Sequence, residues 1–126
     1  MAESDTADKA LSRGKALFGD LIDHHLIREL ADADEEFARL FQQFVLGGMY
    51  DRNVLDQKTR ELCAVGALTV QNAPHQLAAH MQAAKRMGAT NQEILEVIFQ
   101  MSVYCGMPYM LQAVRLFKKM VAEGKL

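Results

Sequence analysis

Residues 56–88 read DQKTRELCAVGALTVQNAPHQLAAHMQAAKRMG, and the reading of this stretch decides the fold. Asp56 stands where a helix N-cap belongs, and the residues from Gln57 to about Gln71 follow it without β-type alternation. Within them Leu62-Cys63-Ala64-Val65-Gly66-Ala67-Leu68 is apolar on every side, so this helix is expected to be buried or to lie between subunits. Asn72-Ala73-Pro74 restarts the chain with Pro74 in a first helical turn, where the missing N–H costs nothing. The next helix is expected to run to Met87, with Gly88 as its C′ residue.

Working outward, the same punctuation recurs. Thr90-Asn91-Gln92-Glu93 is a capping box opening a further helix, whose Ile94, Leu95, Val97, Ile98, Met101 and Val103 mark it as another buried element. Gly106-Met107-Pro108 stops that helix and starts the last one, which carries Leu111, Val114, Leu116 and Phe117 and ends at Lys118-Lys119, a sign of charge suited to the helix dipole. On the other side, Met49 to Leu55 reads as a loop. Before it, Asp34 can cap a helix with Phe37, Leu40, Phe41, Phe44 and Val45 at helical spacing, ended by Gly47-Gly48. The first helix is expected from about Ala7 through Phe18, continuing towards Asp23, with residues 1–6 frayed. The expectation is an all-α chain of about six helices forming one domain over residues 1–126.

The composition bounds the function classes. In 126 residues, 50% are hydrophobic and 24% charged, a globular balance. Fourteen Lys+Arg against sixteen Asp+Glu leave a net charge of −2, so no basic excess recommends a nucleic-acid surface. Two cysteines are too few for a disulfide scaffold or a four-thiolate zinc site. Eight Met and no Trp suit an adaptable aliphatic core. The acidic start Met1-Ala2-Glu3-Ser4-Asp5 is unlike a secretory signal, and the apolar run from Leu62 to Val70 falls far short of the ~20 residues that span a bilayer. A cytoplasmic protein with no membrane and no nucleic-acid partner is expected.

Chemistry concentrates between Glu61 and His80. On the helix after Pro74, Ala73, Leu77, Met81 and Ala84 form the inward stripe, and Gln76 and His80, four apart, stack on one side at its border. If the two helices pair as an antiparallel hairpin, the start of one lies beside the end of the other, and Glu61 faces His80. An imidazole so placed is a candidate acid/base. The bland readings stand beside it. A His on an apolar stripe serves as a hydrogen-bonded core residue, Glu61 beside Lys58 and Arg60 belongs to a solvated face, and Gln76 alone says nothing. His24-His25 has no third ligand in view, and His75 and His80 are five apart, unlike the four of a zincin helix. Cys63 and Cys105 read as small buried hydrophobes, and no Cys-x-x-Cys is present. No metal and no cofactor is expected.

Several segments together resemble the carboxymuconolactone decarboxylase family. They are Leu55-Asp56-Gln57-Lys58-Thr59-Arg60-Glu61-Leu62, Ala67-Leu68-Thr69, Gln76-Leu77 with His80, and Val103-Tyr104-Cys105-Gly106-Met107-Pro108. Gly48-Met49-Tyr50-Asp51-Arg52, Gly88-Ala89-Thr90 and Glu93-Ile94 with Glu96-Val97 extend the likeness over roughly residues 37–117. The resemblance implies an alkylhydroperoxidase D-like helical fold and a homo-oligomer, a trimer or a hexamer. In the redox branch of the family, two cysteines lie between the Glu and the His that Glu61 and His80 match. Ala73 and Gln76 hold those two positions here, so the thiol peroxidase cycle is expected to be absent. The decarboxylase branch, which acts on 4-carboxymuconolactone in aromatic catabolism, keeps the His of His80 and often carries a Glu where this chain has Gln76. Under that likeness His80 is the proton donor, Gln76 orients substrate or His80, and Glu61 sets the tautomer and charge of His80. The substrate is then a small organic acid or lactone. Two other readings stay open, a peroxidase-like protein using Cys63 or Cys105 and a non-catalytic helical oligomer that binds a small molecule.

Overall fold

At Asp34, Asp56 and Thr90 a helix start is set by a short side chain that accepts from the backbone N–H three residues on. A computed structural model describes residues 2–19 and 26–126, and every regular element among them is helical, with no strand. The chain divides into two compact units, Met1–Leu55 and Asp56–Leu126.

In the first unit, α1 spans Ala2–Phe18, α2 Leu26–Ala33 and α3 Glu35–Phe41, followed by a π turn over Gln42–Leu46 and a 3-10 turn over Met49–Asp51. The helix therefore begins well before Ala7, and residues 2–6, expected to be frayed, are part of it. Thr6 in that added turn lies against the π turn, while Lys9 pairs with Asp5 at 3.3 Å and Asp51 at 3.2 Å. The expected continuation towards Asp23 falls outside the described residues. Asp34 caps α3 as expected, its Oδ1 accepting the Phe37 N–H at 2.9 Å. The Phe37–Val45 stripe does not become core. Ala38 and Leu46 are buried, whereas Phe37, Leu40 and Phe44 are exposed. The π turn adds a residue to the last turn, which slips the helical phase of everything after Phe41. The acidic stretch from Asp32 to Glu36 is a solvated face and contains the break between α2 and α3.

The second unit holds the candidate site. Here α4 spans Gln57–Val70, α5 Pro74–Arg86, α6 Asn91–Gln100 and α7 Ser102–Ala122. Asp56 Oδ1 accepts the Thr59 N–H at 2.7 Å and starts α4. The turn to α5 bends at Asn72, whose φ of 51° is one that Asn tolerates better than most side chains. A Schellman pair closes α5, with Gly88 N–H donating to Lys85 O at 3.0 Å and Ala89 N–H to Ala84 O at 2.9 Å. The capping box is complete, with reciprocal 3.0 Å bonds between Thr90 and Glu93.

The expected fifth helix ends five residues early, at Gln100. Ser102 Oγ donates to Phe99 O at 2.7 Å and satisfies a carbonyl that another helical turn would have used. Gly106 then breaks α7 after its first turn, at φ 81° and ψ 166°, a conformation that is essentially glycine's alone. Pro108 follows at the restart.

The core of this unit is Val65, Leu77, Met81, Ala84, Ile94, Ile98, Ala113 and Phe117 with their neighbours. It takes in Leu77, Met81 and Ala84 of the expected inward stripe, while Ala73 stands half-buried just before α5 and outside the core. Val103, expected to be buried, is 77% exposed, because the short turn before Gly106 points away from this core. No described helix is long and apolar enough to cross a membrane.

Candidate functional site

Glu61 opens the second turn of α4, just before the helix turns apolar. The expected solvated face is not what forms there. Packing of α4 on α5 removes Glu61 from solvent entirely, and its Oε2 lies 2.6 Å from His80 Nδ1. The His80 side chain keeps 19% of its surface exposed. A carboxylate taken out of water is costly unless it is hydrogen-bonded, so this pairing is what makes Glu61 tolerable at that depth.

The partner chemistry orients the ring. Nδ1 is the ring nitrogen committed to the Glu61 carboxyl oxygen Oε2. Nε2 is the ring nitrogen on the side away from this contact. The other carboxylate oxygen, Oε1, is buried with no hydrogen-bond partner. Buried oxygens of this kind are unusual in folded proteins. Arg60 and Gln57, from the same turn of α4, also bring polar atoms, Nε and Oε1, into buried positions, so this turn is a polar inclusion rather than a charged surface. Lys58 turns away to pair with Glu93 at 2.7 Å, and this contact, with the Thr90 N–H, holds the Glu93 carboxyl below its ordinary value.

The structure brings Glu61 and His80 together and leaves Gln76 exposed, one turn before His80 on α5. Gln76 therefore belongs to the solvent rim and not to the buried pair. His75 is exposed beside it, and His24-His25 lies outside the described residues. The reading of Cys63 as a buried hydrophobe is corrected. Cys63 is exposed on α4, and Cys105 is half-buried with its Sγ 3.7 Å from Gly106 O. A helix apolar in sequence has no buried side of its own until its neighbours pack, and α5, α6 and α7 leave the Cys63 side of α4 open. Among the described residues, no group of three or more His, Cys, Asp or Glu is placed to hold a metal ion.

A second feature was not legible in the sequence. A recess of about 180 Å³ is lined by Leu68, Thr69 and Asn72 from the end of α4, Leu77 of α5, and Tyr109 and Gln112 of α7 among others. Glu61 and His80 are not in its lining.

Comparison with known proteins places these observations. Residues 35–119 match the carboxymuconolactone decarboxylase family. An uncharacterized 15.0 kDa protein of Paracoccus denitrificans is 43% identical over 79 residues, 61% of this chain and 59% of that protein. A nitrosuccinic acid decarboxylase of Metarhizium robertsii is 26% identical over 116 residues, covering 92% of this chain and 81% of the relative. A 4-carboxymuconolactone decarboxylase of Acinetobacter baylyi is 28% identical over 82 residues, 65% of this chain and 61% of the relative. The matched region thus spans less than two thirds of the Paracoccus and Acinetobacter proteins.

Proposed function

The chain belongs to the carboxymuconolactone decarboxylase family, and on that premise we propose that it is a cofactor-independent carboxy-lyase acting on a small lactone or keto carboxylic acid. The observation that carries the reading is the 2.6 Å contact between fully buried Glu61 and partly exposed His80. Two relatives named as decarboxylases, of nitrosuccinic acid and of 4-carboxymuconolactone, support the reaction class.

The chemistry needs little from the protein beyond a dry, oriented proton. When the C–C bond to the carboxylate breaks, CO₂ leaves and the bonding pair delocalises through a conjugated double bond into the substrate carbonyl. In its imidazolium form, paired through Nδ1 with Glu61, His80 delivers the Nε2 proton to the carbon end of that system and is left neutral, with its proton on Nδ1. Glu61 holds the opposite nitrogen and fixes the ring plane. Solvent returns the proton to His80 through its exposed edge, so the cycle balances without a redox partner. A positioned acid of this kind contributes ~10²–10⁴ in rate. Gln76, at the rim one turn away, orients the substrate through its amide. Ala73 and Gln76 at the two thiol positions of the redox branch weigh against a peroxidase cycle.

The working form proposed here is a homo-oligomer in the cytoplasm, taking part in aromatic compound breakdown. Val103, Tyr104 and Met107, exposed around the Gly106 break, supply apolar surface that a second copy would cover. The direct test is a screen of small lactone and keto acids for CO₂ release beside His80→Ala. Turnover that falls by ~10²-fold or more in a folded variant supports the assignment. Turnover unchanged by His80→Ala removes it.

A further inference from the structure

We propose that the recess at the α4–α5 turn is a second small-molecule site, selective for an uncharged six-membered-ring compound bearing one or two oxygen functions. The size fits such a ligand. A dry cavity of ~150 Å³ holds a benzene-sized molecule, and this one measures about 180 Å³. The lining sets the chemistry. Leu68, Leu77 and Leu116 supply an apolar floor, and Asn72, Tyr109 and Gln112 supply two amides and a phenol. Those three groups offer both donors and acceptors, so they can match a carbonyl or a hydroxyl.

No Lys, Arg, His, Asp or Glu belongs to the lining. An ionised ligand would meet no opposite charge in this lining. The start of α5 borders the recess and carries no side-chain cap, and its dipole amounts to ~0.5 of a charge at most. That suits the partial charge of a carbonyl oxygen. Neither Glu61 nor His80 belongs to the lining, and its last α5 residue, Leu77, stands three residues before His80, about 4.5 Å of helix. The inference therefore stands whether or not the chain is a carboxy-lyase.

The test is an amide ¹H–¹⁵N NMR titration of the whole chain with cyclohexanone and, separately, with cyclohexanecarboxylate. Cyclohexanone is expected to move the Leu68, Asn72, Tyr109 and Gln112 amides saturably and to leave those of Glu61 and His80 in place. Cyclohexanecarboxylate is expected to bind there at least tenfold more weakly. Two conservative variants probe the rim. Asn72→Gly keeps the positive φ, Tyr109→Phe keeps the ring, and each is expected to weaken cyclohexanone binding by about 2–10-fold, the worth of one neutral hydrogen bond. The proposal is overturned by carboxylate binding as tight as cyclohexanone, by shifts confined to Glu61 and His80, by no saturable shift at the solubility limit, or by unchanged affinity in both variants.

Discussion

Replacing Glu61 by Gln separates what this side chain does for the ring from what it does for the fold. In the native protein, His80 Nδ1 lies 2.6 Å from a fully buried carboxyl oxygen, and the expectation is that Nδ1 donates to it. A hydrogen bond to a charged partner is worth about 1.5–3 kcal/mol, and a neutral one about 0.5–1.5 kcal/mol, so the bond itself weakens by roughly 1–2 kcal/mol. Against that, Gln removes a buried negative charge whose Oε1 has no hydrogen-bond partner, and relieving that burial offsets the loss. Glu61→Gln should therefore change stability by no more than about 1 kcal/mol, while Glu61→Ala, which strips the ring of its partner and opens a void, should cost about 2–4 kcal/mol. For a unit of this size, each kcal/mol moves Tm by roughly 4–8 °C, so calorimetry resolves the two variants.

The ring itself responds differently. A Gln side chain presents either an acceptor oxygen or a donor nitrogen to Nδ1, and the tautomer is no longer dictated. Long-range ¹H–¹⁵N correlation of the imidazole at neutral pH should find Nδ1 protonated in the native protein and a mixed or reversed population in Glu61→Gln. A native His80 whose only ring proton sits on Nε2, with Nδ1 accepting, would refute the reasoning, because Glu61 would then have to be the donor. An unchanged tautomer in Glu61→Gln would refute it equally.

Other expectations follow from packing and charge. A Cβ at Gly47 would press into the Thr6 carbonyl oxygen and approach Thr6 Cγ2 at 2.9 Å, so Gly47→Ala should destabilise the first unit by about 1–3 kcal/mol. A wild-type unfolding curve for that variant would contradict the packing of α1 on the π turn. Ile98 is fully buried, and Ile98→Ala should cost about 2–5 kcal/mol in denaturant unfolding. Val103→Asp, on a side chain 77% exposed, should leave the folding of the chain unchanged and lower the mass seen in sedimentation. An unaltered mass would argue against this surface as a contact between copies. Glu93 is held below its ordinary carboxyl value near 4.5, first by the Lys58 contact and then by the Thr90 N–H. Its folded value lies below its unfolded one, so the stabilisation is complete above about pH 4.5 and fades as pH falls through the folded value. The native protein should be more stable than Glu93→Gln at neutral pH, with the gap closing as pH falls below about 4.5, and a gap that does not change with pH would exclude the contribution.

What could be read directly from the sequence was local. The side chains of Asp34, Asp56, Thr90 and Glu93 each accept from a backbone N–H three residues away, so their helices begin where those residues stand. Pro74 and Gly106 act through their own backbone geometry, and the α4–α5 turn and the break in α7 were legible for the same reason. The candidate pair was only half legible. The spacing put Glu61 and His80 at opposite ends of a possible hairpin, yet Lys58 and Arg60 around Glu61 argued for solvent.

Tertiary structure decided the rest, because burial is a property of which surfaces meet. Packing of α4 on α5 carried Glu61 to zero exposure across nineteen residues of sequence, and left Gln76, on the same helix as His80, in solvent. The same packing exposed Cys63 and Val103, whose apolar neighbours had suggested a core, and shaped a recess from Asn72, Tyr109 and Gln112 that no spacing connects. Capping chemistry acts within one helical turn and is written in the chain. Depth depends on distant helices, and only their assembly determines it.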